Sequence, residues 1–304
     1  MSEQILRTHN LGKKYRRLWA VKNLNLEVNR GDVFGFLGPN GAGKSTTIRM
    51  ILSLIRPTVG EVEIFGYSLK SQRLHALRSV SGIVEKPDFY SYLSGYKNLE
   101  IVGGLTEPVR RKRIAEMLEL VGLADRGSDK VKTYSHGMKQ RLGIAQALIS
   151  DPELVILDEP TNGLDPQGMK DVRELILHLS RDQKKTIILS SHLLSEVEMV
   201  ANRMAIIHKG ELVVQGKVQD LLYKGEKYIV LDAEPRTKVQ ALLKKQKNIV
   251  RNVHEEQGKF YVHMEFSNIP ELTRHLVQGG VQVKALIPRR SLEDLFLSIT
   301  ENAG

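Results

Sequence analysis

Four short stretches carry residues whose types and spacing could do chemistry. The run "GPNGAGKS" at 38–45 fits the pattern G-x-x-x-x-G-K-[ST]. Gly38, Gly41 and Gly43 leave backbone amides free to close around phosphate oxygens, and Asn40 and Ala42 complete the loop. Lys44 supplies a point charge for β- and γ-phosphates, Ser45 a hydroxyl for Mg²⁺, and Thr46 a donor for an α-phosphate. The run "LVILDEP" at 154–160 ends in two acids. At a strand's carboxyl end beside a phosphate loop, Asp158 is placed to hold Mg²⁺ through water, and Glu159 to deprotonate an attacking water. A buried acid pair is costly unless metal or hydrogen bonds compensate, which argues against a purely structural role. In "SSH" at 190–192, His192 lies just past another apolar strand, at the sheet edge where open α/β folds bind ligands, within reach of a γ-phosphate.

The fourth stretch, "TYSHGMKQR" at 133–141, sets a serine beside a histidine. Adjacent residues on a first helical turn point apart, so a nucleophile-and-base pair is disfavoured. Ser135 fits an N-cap, with His136, Gly137 and Met138 as the first turn and Met138, Leu142, Ala145, Leu148 and Ile149 at helical spacing behind it. A helix start with open amides, Gly137 and a hydroxyl suits an anion.

Elements that could position these groups are visible around them. Strands are expected at 33–38, 81–85, 154–158, 185–191 and 203–208, alternating with helical runs, which argues for α/β layers. Several are continuously apolar, as strands buried on both faces are. The helix after Lys44 shows the face Ile48, Ile51, Leu52, Ile55. Between Lys86 and Ser150 the strand signal stops, and a helical subdomain over about 87–150 is expected. Its first part holds Phe89, Tyr90, Tyr92 and Tyr96, read either as subdomain core or as a partner-docking groove.

Beyond about 224 the character changes. Strand 227–234, helix 235–245, strands 248–256 and 259–266, helix 270–279, strand 281–287 and a last helix 291–300 follow the split β-α-β-β-α-β order. The expected organisation is therefore a first domain over 1–224 and a small α+β, ferredoxin-like domain over 225–304.

Composition narrows the class. With no cysteine among 304 residues, disulfides and cysteine-ligated metals are excluded. The start "MSEQILRTHN" has no apolar h-region, so no secretory signal is expected, and no run approaches the ~18 apolar residues of a membrane span. The net charge of +10 is distributed in short runs, "KKYRR" and "RRKR", the latter on the polar side of a helix faced by Ile114, Met117, Leu118 and Val121. A solvated basic surface is favoured over a nucleic-acid patch, because no groove-reading motif accompanies it.

Taken together, "GPNGAGKST", "YSHGMKQR", "LVILDEPTNGLDP" and "SSH", in this order and spacing, resemble the ATP-binding subunits of ABC transporters over roughly residues 3–224. The resemblance implies a P-loop ATPase core with an inserted helical subdomain, hydrolysing ATP with Mg²⁺. It implies dimerisation, with itself or with another ATPase subunit, so that Ser135 and Gly137 meet ATP held by the other chain. It also implies a separate membrane-spanning permease, a place at the cytoplasmic face of the cell membrane, and no nucleic-acid partner. By the same carry-over, Tyr15 resembles the aromatic that stacks on adenine, with Trp19 the weaker rival, and Asp165 the residue that crosses the dimer interface.

Two departures stand out. The usual signature Leu-Ser-Gly-Gly-Gln is replaced by Tyr134, Ser135, His136, Gly137 and Met138, and the usual glutamine of the loop joining the subdomains is Glu85. A carboxylate there can still bind Mg²⁺. These variants and the ending "SLEDLFLSIT" most resemble the subgroup serving bacitracin-resistance and lantibiotic self-protection exporters. Other ABC-2-type exporters, of lipids, drugs or sodium, are the alternative, as is a soluble ATPase acting as a nucleotide switch. Translation factors with two cassettes fit poorly, since there is one set of motifs, and about 90 residues separate phosphate loop from signature without heptads. Glu159 speaks against a switch without turnover.

Overall fold

A computed structural model describes residues 3–105, 109–224, 226–256 and 258–291. Strands β1 (Gln4–Tyr15), β2 (Leu18–Leu24) and β3 (Glu27–Asn29) precede β4 (Val33–Leu37) and helix α1 (Lys44–Ile51). Next come β5 (Val59–Ile64), β6 (Tyr67–Ser68), α2 (Arg73–Leu77) and β7 (Val80–Ile83). Helices α3 (Gly95–Gly103), α4 (Arg111–Leu120) and α5 (His136–Leu148) then intervene before β8 (Leu154–Leu157). The alternation resumes with α6 (Pro166–Arg181), β9 (Thr186–Ser191), α7 (Leu194–Val200), β10 (Arg203–His208) and β11 (Glu211–Lys217).

The five expected strands are β4, β7, β8, β9 and β10, differing only at their ends. They lie in one six-stranded sheet of order β11-β10-β4-β9-β8-β7. All its pairings are parallel except that of β10 with β11. β4, β8 and β9 are buried at every residue because layers cover both faces. A second sheet, antiparallel and built from β1, β2, β3, β5 and β6, was not singled out in the sequence. One apolar core joins the layers: Ile48, Met50 and Ile51 of α1 cluster with Phe34, Phe36, Ile156 and Ile188, and with Ile5, Leu24 and Ile64 of the antiparallel sheet. Helix α1 stops at Ile51, short of the face expected to reach Ile55, and Ser53 turns the chain at φ 56°. Leu52 and Ile55 still pack on that core.

The helical insertion has Ser94 as the N-cap of α3, accepting from the Lys97 amide. The Tyr134 hydroxyl donates to the Arg126 carbonyl at 2.6 Å, and burial pushes this phenol's pKa up, with Asp129 adding to the rise. Tyr90 and Tyr92 are 52% and 65% exposed, so they are not subdomain core. Their rings meet edge-on at 6.1 Å, while Phe89 and Tyr96 are partly buried. At its base, Asp151 receives Lys185 at 2.6 Å and lies 3.6 Å from Arg113, which also donates to the Leu148 carbonyl. The Lys185 hydrogen bond holds the Asp151 carboxyl below its ordinary pKa, against the opposing effect of burial.

The chain divides into two compact units, Met1–Val218 and Gln219–Gly304, six residues before the boundary expected after Lys224. Helix α8 (Val218–Lys224) therefore begins at the junction. The second unit holds β12 (Glu226–Glu234), α9 (Arg236–Lys245), β13 (Asn252–Glu256), β14 (Lys259–His263), α10 (Ile269–Gln278) and β15 (Gln282–Ser291). Its sheet runs β13-β14-β12-β15 with every pairing antiparallel, the order of a split βαβ fold. Ile229, Leu231, Phe260 and Val262 form a core with Val239, Leu243, Leu272 and Leu276 of the two helices. Strand β13 starts four residues later than the run at 248 suggested. The last expected helix, at 291–300, lies outside the described residues except for Ser291, which ends β15.

Candidate active site

Parallel pairing brings the carboxyl ends of β4, β9 and β8 to one edge of the sheet, with Leu37 opposite Ser191 and Leu157 opposite Leu189. Three loops distant in sequence therefore open side by side. Between β4 and α1 the chain turns through Gly41 at φ 81° and Gly43 at φ 107°, left-handed conformations that favour glycine. A Cβ on Gly43 would also stand 2.5 Å from the Ala20 carbonyl, and one on Gly38 2.5 Å from that of Ile207. Asn40 and Gly41 are exposed at the loop's crest, and Ala42 is buried beneath it. Ser45 and Thr46 are partly buried on the first turn of α1.

Lys44 is 6% exposed, and its Nζ donates to the Gly38 carbonyl at 2.6 Å and the Pro39 carbonyl at 3.3 Å. The same ammonium lies 3.2 Å from Glu159 Oε1. The second carboxylate oxygen, Oε2, is 2.8 Å from His192 Nδ1. With Glu159 ionised the carboxylate only accepts, which puts a proton on Nδ1, and Nε2 then donates to an anion only in the imidazolium form. Asp158 is 2% exposed and receives the Ser190 hydroxyl on Oδ1 at 2.5 Å, while Ser190 Oγ accepts from the Glu159 amide at 2.9 Å. Ser190 thus fixes both acids, with Glu159 held at φ 49°.

Lys44 and His192 each contact Glu159, and Asp158 is tied to Glu159 through Ser190. Ser190 was missed; the sign of it is the pair of serines, Ser190 and Ser191, that closes the apolar run of β9. Ser135 caps α5, accepting from the Met138 amide at 3.2 Å, a bond worth ~1 kcal/mol of helix stability. His136 Nε2 lies 3.3 Å from the Asn162 carbonyl, and Leu164 borders Gly137, so this turn adjoins the loop that follows Glu159. Asp165 caps α6 through the Gly168 amide. Tyr15 ends β1, 45% exposed, with Lys13 Nζ 5.3 Å from its ring centroid; Trp19 has the corresponding contact from Lys14 at 5.4 Å. Glu85 sits at φ 65° and is ion-paired with Arg49 of α1, a partner that no motif announced.

A divalent cation fits the donors present. Ser45 and Asp158 offer only oxygen, the donor type Mg²⁺ takes, while Glu85, the third expected oxygen donor, is engaged by Arg49. Among the described residues no three His, Cys, Asp or Glu side chains form a metal cage. The donor set therefore suits an ion held by one or two carboxylates together with substrate phosphates.

A glycine-rich phosphate loop between a parallel strand and a helix, with adjacent acids at a neighbouring strand end, is the architecture of P-loop nucleoside triphosphatases. Residues 21–162 match the ABC transporter family model. The bacitracin transport ATP-binding protein BcrA of Bacillus licheniformis is 40% identical over 97% of this chain and 97% of its own length. The chain belongs to the ATP-binding proteins of ABC transporters. The linearmycin resistance ATP-binding protein LnrL of Bacillus subtilis is 39% identical over 71% of this chain and 70% of its own. Among solved structures, a dimeric ATP-binding cassette in a post-hydrolysis state with ADP and Pi superposes with TM-score 0.65 at 26% identity, covering 70% of this chain and 99% of that one.

Proposed function

We propose that this chain is the ATP-hydrolysing subunit of an exporter that removes a peptide antibiotic or related compound through a separate membrane-spanning subunit, conferring resistance. The observation that carries the ATPase half is the Lys44–Glu159–His192 cluster at the mouth of the phosphate loop. Substrate class rests on full-length similarity to a bacitracin transport protein and on the linearmycin resistance relative. Among the described residues no helix is long and apolar enough to cross a membrane. Similarity to a bacitracin transport ATP-binding protein supports a membrane partner that carries the cargo, with this chain docked at its cytoplasmic face. Exposed Tyr90 and Tyr92 beside the loop of Glu85 offer the aromatic surface for that docking.

Both oxygens of Glu159 are occupied, Oε1 by Lys44 and Oε2 by His192, so the base is masked. When ATP enters, Lys44 exchanges its carbonyl and carboxylate partners for β- and γ-phosphate oxygens, and Glu159 Oε1 is released towards the attacking water. Glu159 accepts the water's proton while His192 holds the carboxylate in place and, as imidazolium, donates Nε2–H to the γ-phosphate. Ser45 and Asp158 would hold Mg²⁺, with Glu85 as a further donor; the ion supplies charge neutralisation on the phosphates. The loop amides of Gly41, Ala42, Gly43, Lys44 and Ser45 cradle the phosphates, with Gly38 and Asn40 shaping the turn. Tyr15 stacks on the base, and Ser135 and Gly137 cap the γ-phosphate bound by the partner chain. The second unit, with no phosphate loop, serves regulation or partner choice.

The test is to solubilise membranes gently, identify the membrane protein that co-purifies with the tagged chain, and express the pair in a sensitive host. Raised tolerance to bacitracin-like peptides that is lost with Lys44→Ala supports the reading. A permease whose expression protects only against lipids, unrelated drugs or sodium would replace the substrate class while leaving the ATPase intact.

A further inference from the structure

Glu85 stands at φ 65°, a conformation that a non-glycine residue keeps only where its surroundings impose it. Beside it Arg49 projects from α1 five residues after Lys44 and pairs its guanidinium with the Glu85 carboxylate. Beside the loop lies a half-open pocket of about 250 Å³, lined by Ser81, Ile83, Lys86, Pro87, Gly143 and Gln146, which leaves the loop room to rearrange. The side chains of Arg49 and Glu85 are 34% and 64% exposed, so water and salt screen the pair, and it is weak enough to be exchanged for another cation.

We infer that Arg49 competes with the catalytic cation for the Glu85 carboxylate: Arg49 holds Glu85 on α1, and Glu85 turns to the ion at Ser45 and Asp158 only when that ion pair opens. The inference rests on the proposed reading of Glu85 as an oxygen donor. Arg49 is then a positioning residue acting through Glu85. Opening the pair frees the strained loop whose Pro87 packs on α5, where a Cβ on Gly143 would come within 2.7 Å of it.

The experiment measures Mn²⁺ affinity by electron paramagnetic resonance, using the full chain saturated with a non-hydrolysable ATP analogue. Arg49→Ala tightens Mn²⁺ by about two- to fivefold, the scale of an exposed ion pair. Arg49→Lys, which keeps the charge, lies nearer the parent protein. Glu85→Gln weakens Mn²⁺, and adding Arg49→Ala to it changes nothing further. Raising salt narrows the gap between the parent and Arg49→Ala. If Glu85→Gln weakens Mn²⁺ but Arg49→Ala leaves it unchanged or weakens it too, competition is wrong and the donor role of Glu85 survives. If Glu85→Gln has no effect on Mn²⁺, both readings fall.

Discussion

In the first unit β4, β8 and β9 are buried at every residue, whereas β12 and β14 of the second alternate. There Ile229, Leu231, Phe260 and Val262 face the helices, and Tyr228, Tyr261 and His263 occupy the opposite face. Both sheets carry ionisable side chains, but they arrange them differently. Parallel strands deliver all their carboxyl ends to one edge, so loops from residues 38, 158 and 192 converge on one space. The antiparallel sheet sends successive ends to opposite edges, and its rings are spread over a face instead: His254 stacks on Tyr261 at 4.9 Å, and Tyr228 lies 5.5 Å from His263. Topology, more than composition, decides which sheet can build a phosphate site.

The contrast is sharpened by removing what the parallel edge shares. Ser190→Ala strips Asp158 Oδ1 and the Glu159 amide of a common partner. The loss of such bonds near charge costs ~1.5–3 kcal/mol, so steady-state turnover falls at least about tenfold with the fold retained by circular dichroism. Wild-type turnover in this variant would mean the acids position themselves.

A smaller effect is expected at the base of the helical insertion. Asp151→Asn keeps a residue type that tolerates the left-handed backbone at φ 53° but removes the acceptor charge for Lys185. Because the folded carboxyl's pKa is depressed, its stabilisation is present above the unfolded value near 4 and disappears as pH falls through the folded value. The carboxylate is 71% exposed, so the difference in unfolding free energy at pH 7 is ~0.5–1 kcal/mol, shrinking to nothing in acid. A pH-independent difference by urea titration would assign the effect to something other than charge.

A twofold effect tests whether the site is shared between chains. In purified mixed dimers with Lys44→Ala on one chain and Ser135→Arg on the other, a shared site gathers both defects in one place and leaves one complete site. Mg-ATP occlusion near half the wild-type level is expected; none above the mutant homodimers contradicts a role for Ser135 across the interface. The least effect of all is expected from ending the chain at Lys224, which leaves the parallel edge whole. Nucleotide affinity should stay within about twofold, and its loss in a truncation that remains folded would undo the division of labour between the two sheets.

Much of the cassette was legible because its signals are local. Residues 38–45 form one contiguous pattern, and the apolar runs of β4, β8 and β9 end at the residues that matter. Ser135 was readable as a cap because the residues that prove it follow within three positions. The site's supporting contacts were not readable: Ser190 and Asp158 are 32 residues apart, and Arg49 and Glu85 are 36 apart, joined only by the fold. Nor was the first unit's antiparallel sheet. Its β1 mixes buried Ile5, Leu6 and Leu11 with basic Arg7, Lys13 and Lys14, and register shifts break its pairing, so no clean alternation survives in the sequence. Tyr90 and Tyr92 show the converse: aromatic spacing alone did not reveal that they stay at the surface.

The central claim is that Glu159, masked by Lys44 and His192 until ATP arrives, is the base of hydrolysis. It is tested most directly by Glu159→Gln, which keeps shape and removes the base, with Mg-ATP affinity and single-turnover hydrolysis measured on the same preparation. Affinity should remain close to the parent's, and hydrolysis should fall by at least the ~10²-fold of a lost general base. Near-normal hydrolysis by the glutamine variant would contradict it and remove Glu159 from the chemistry.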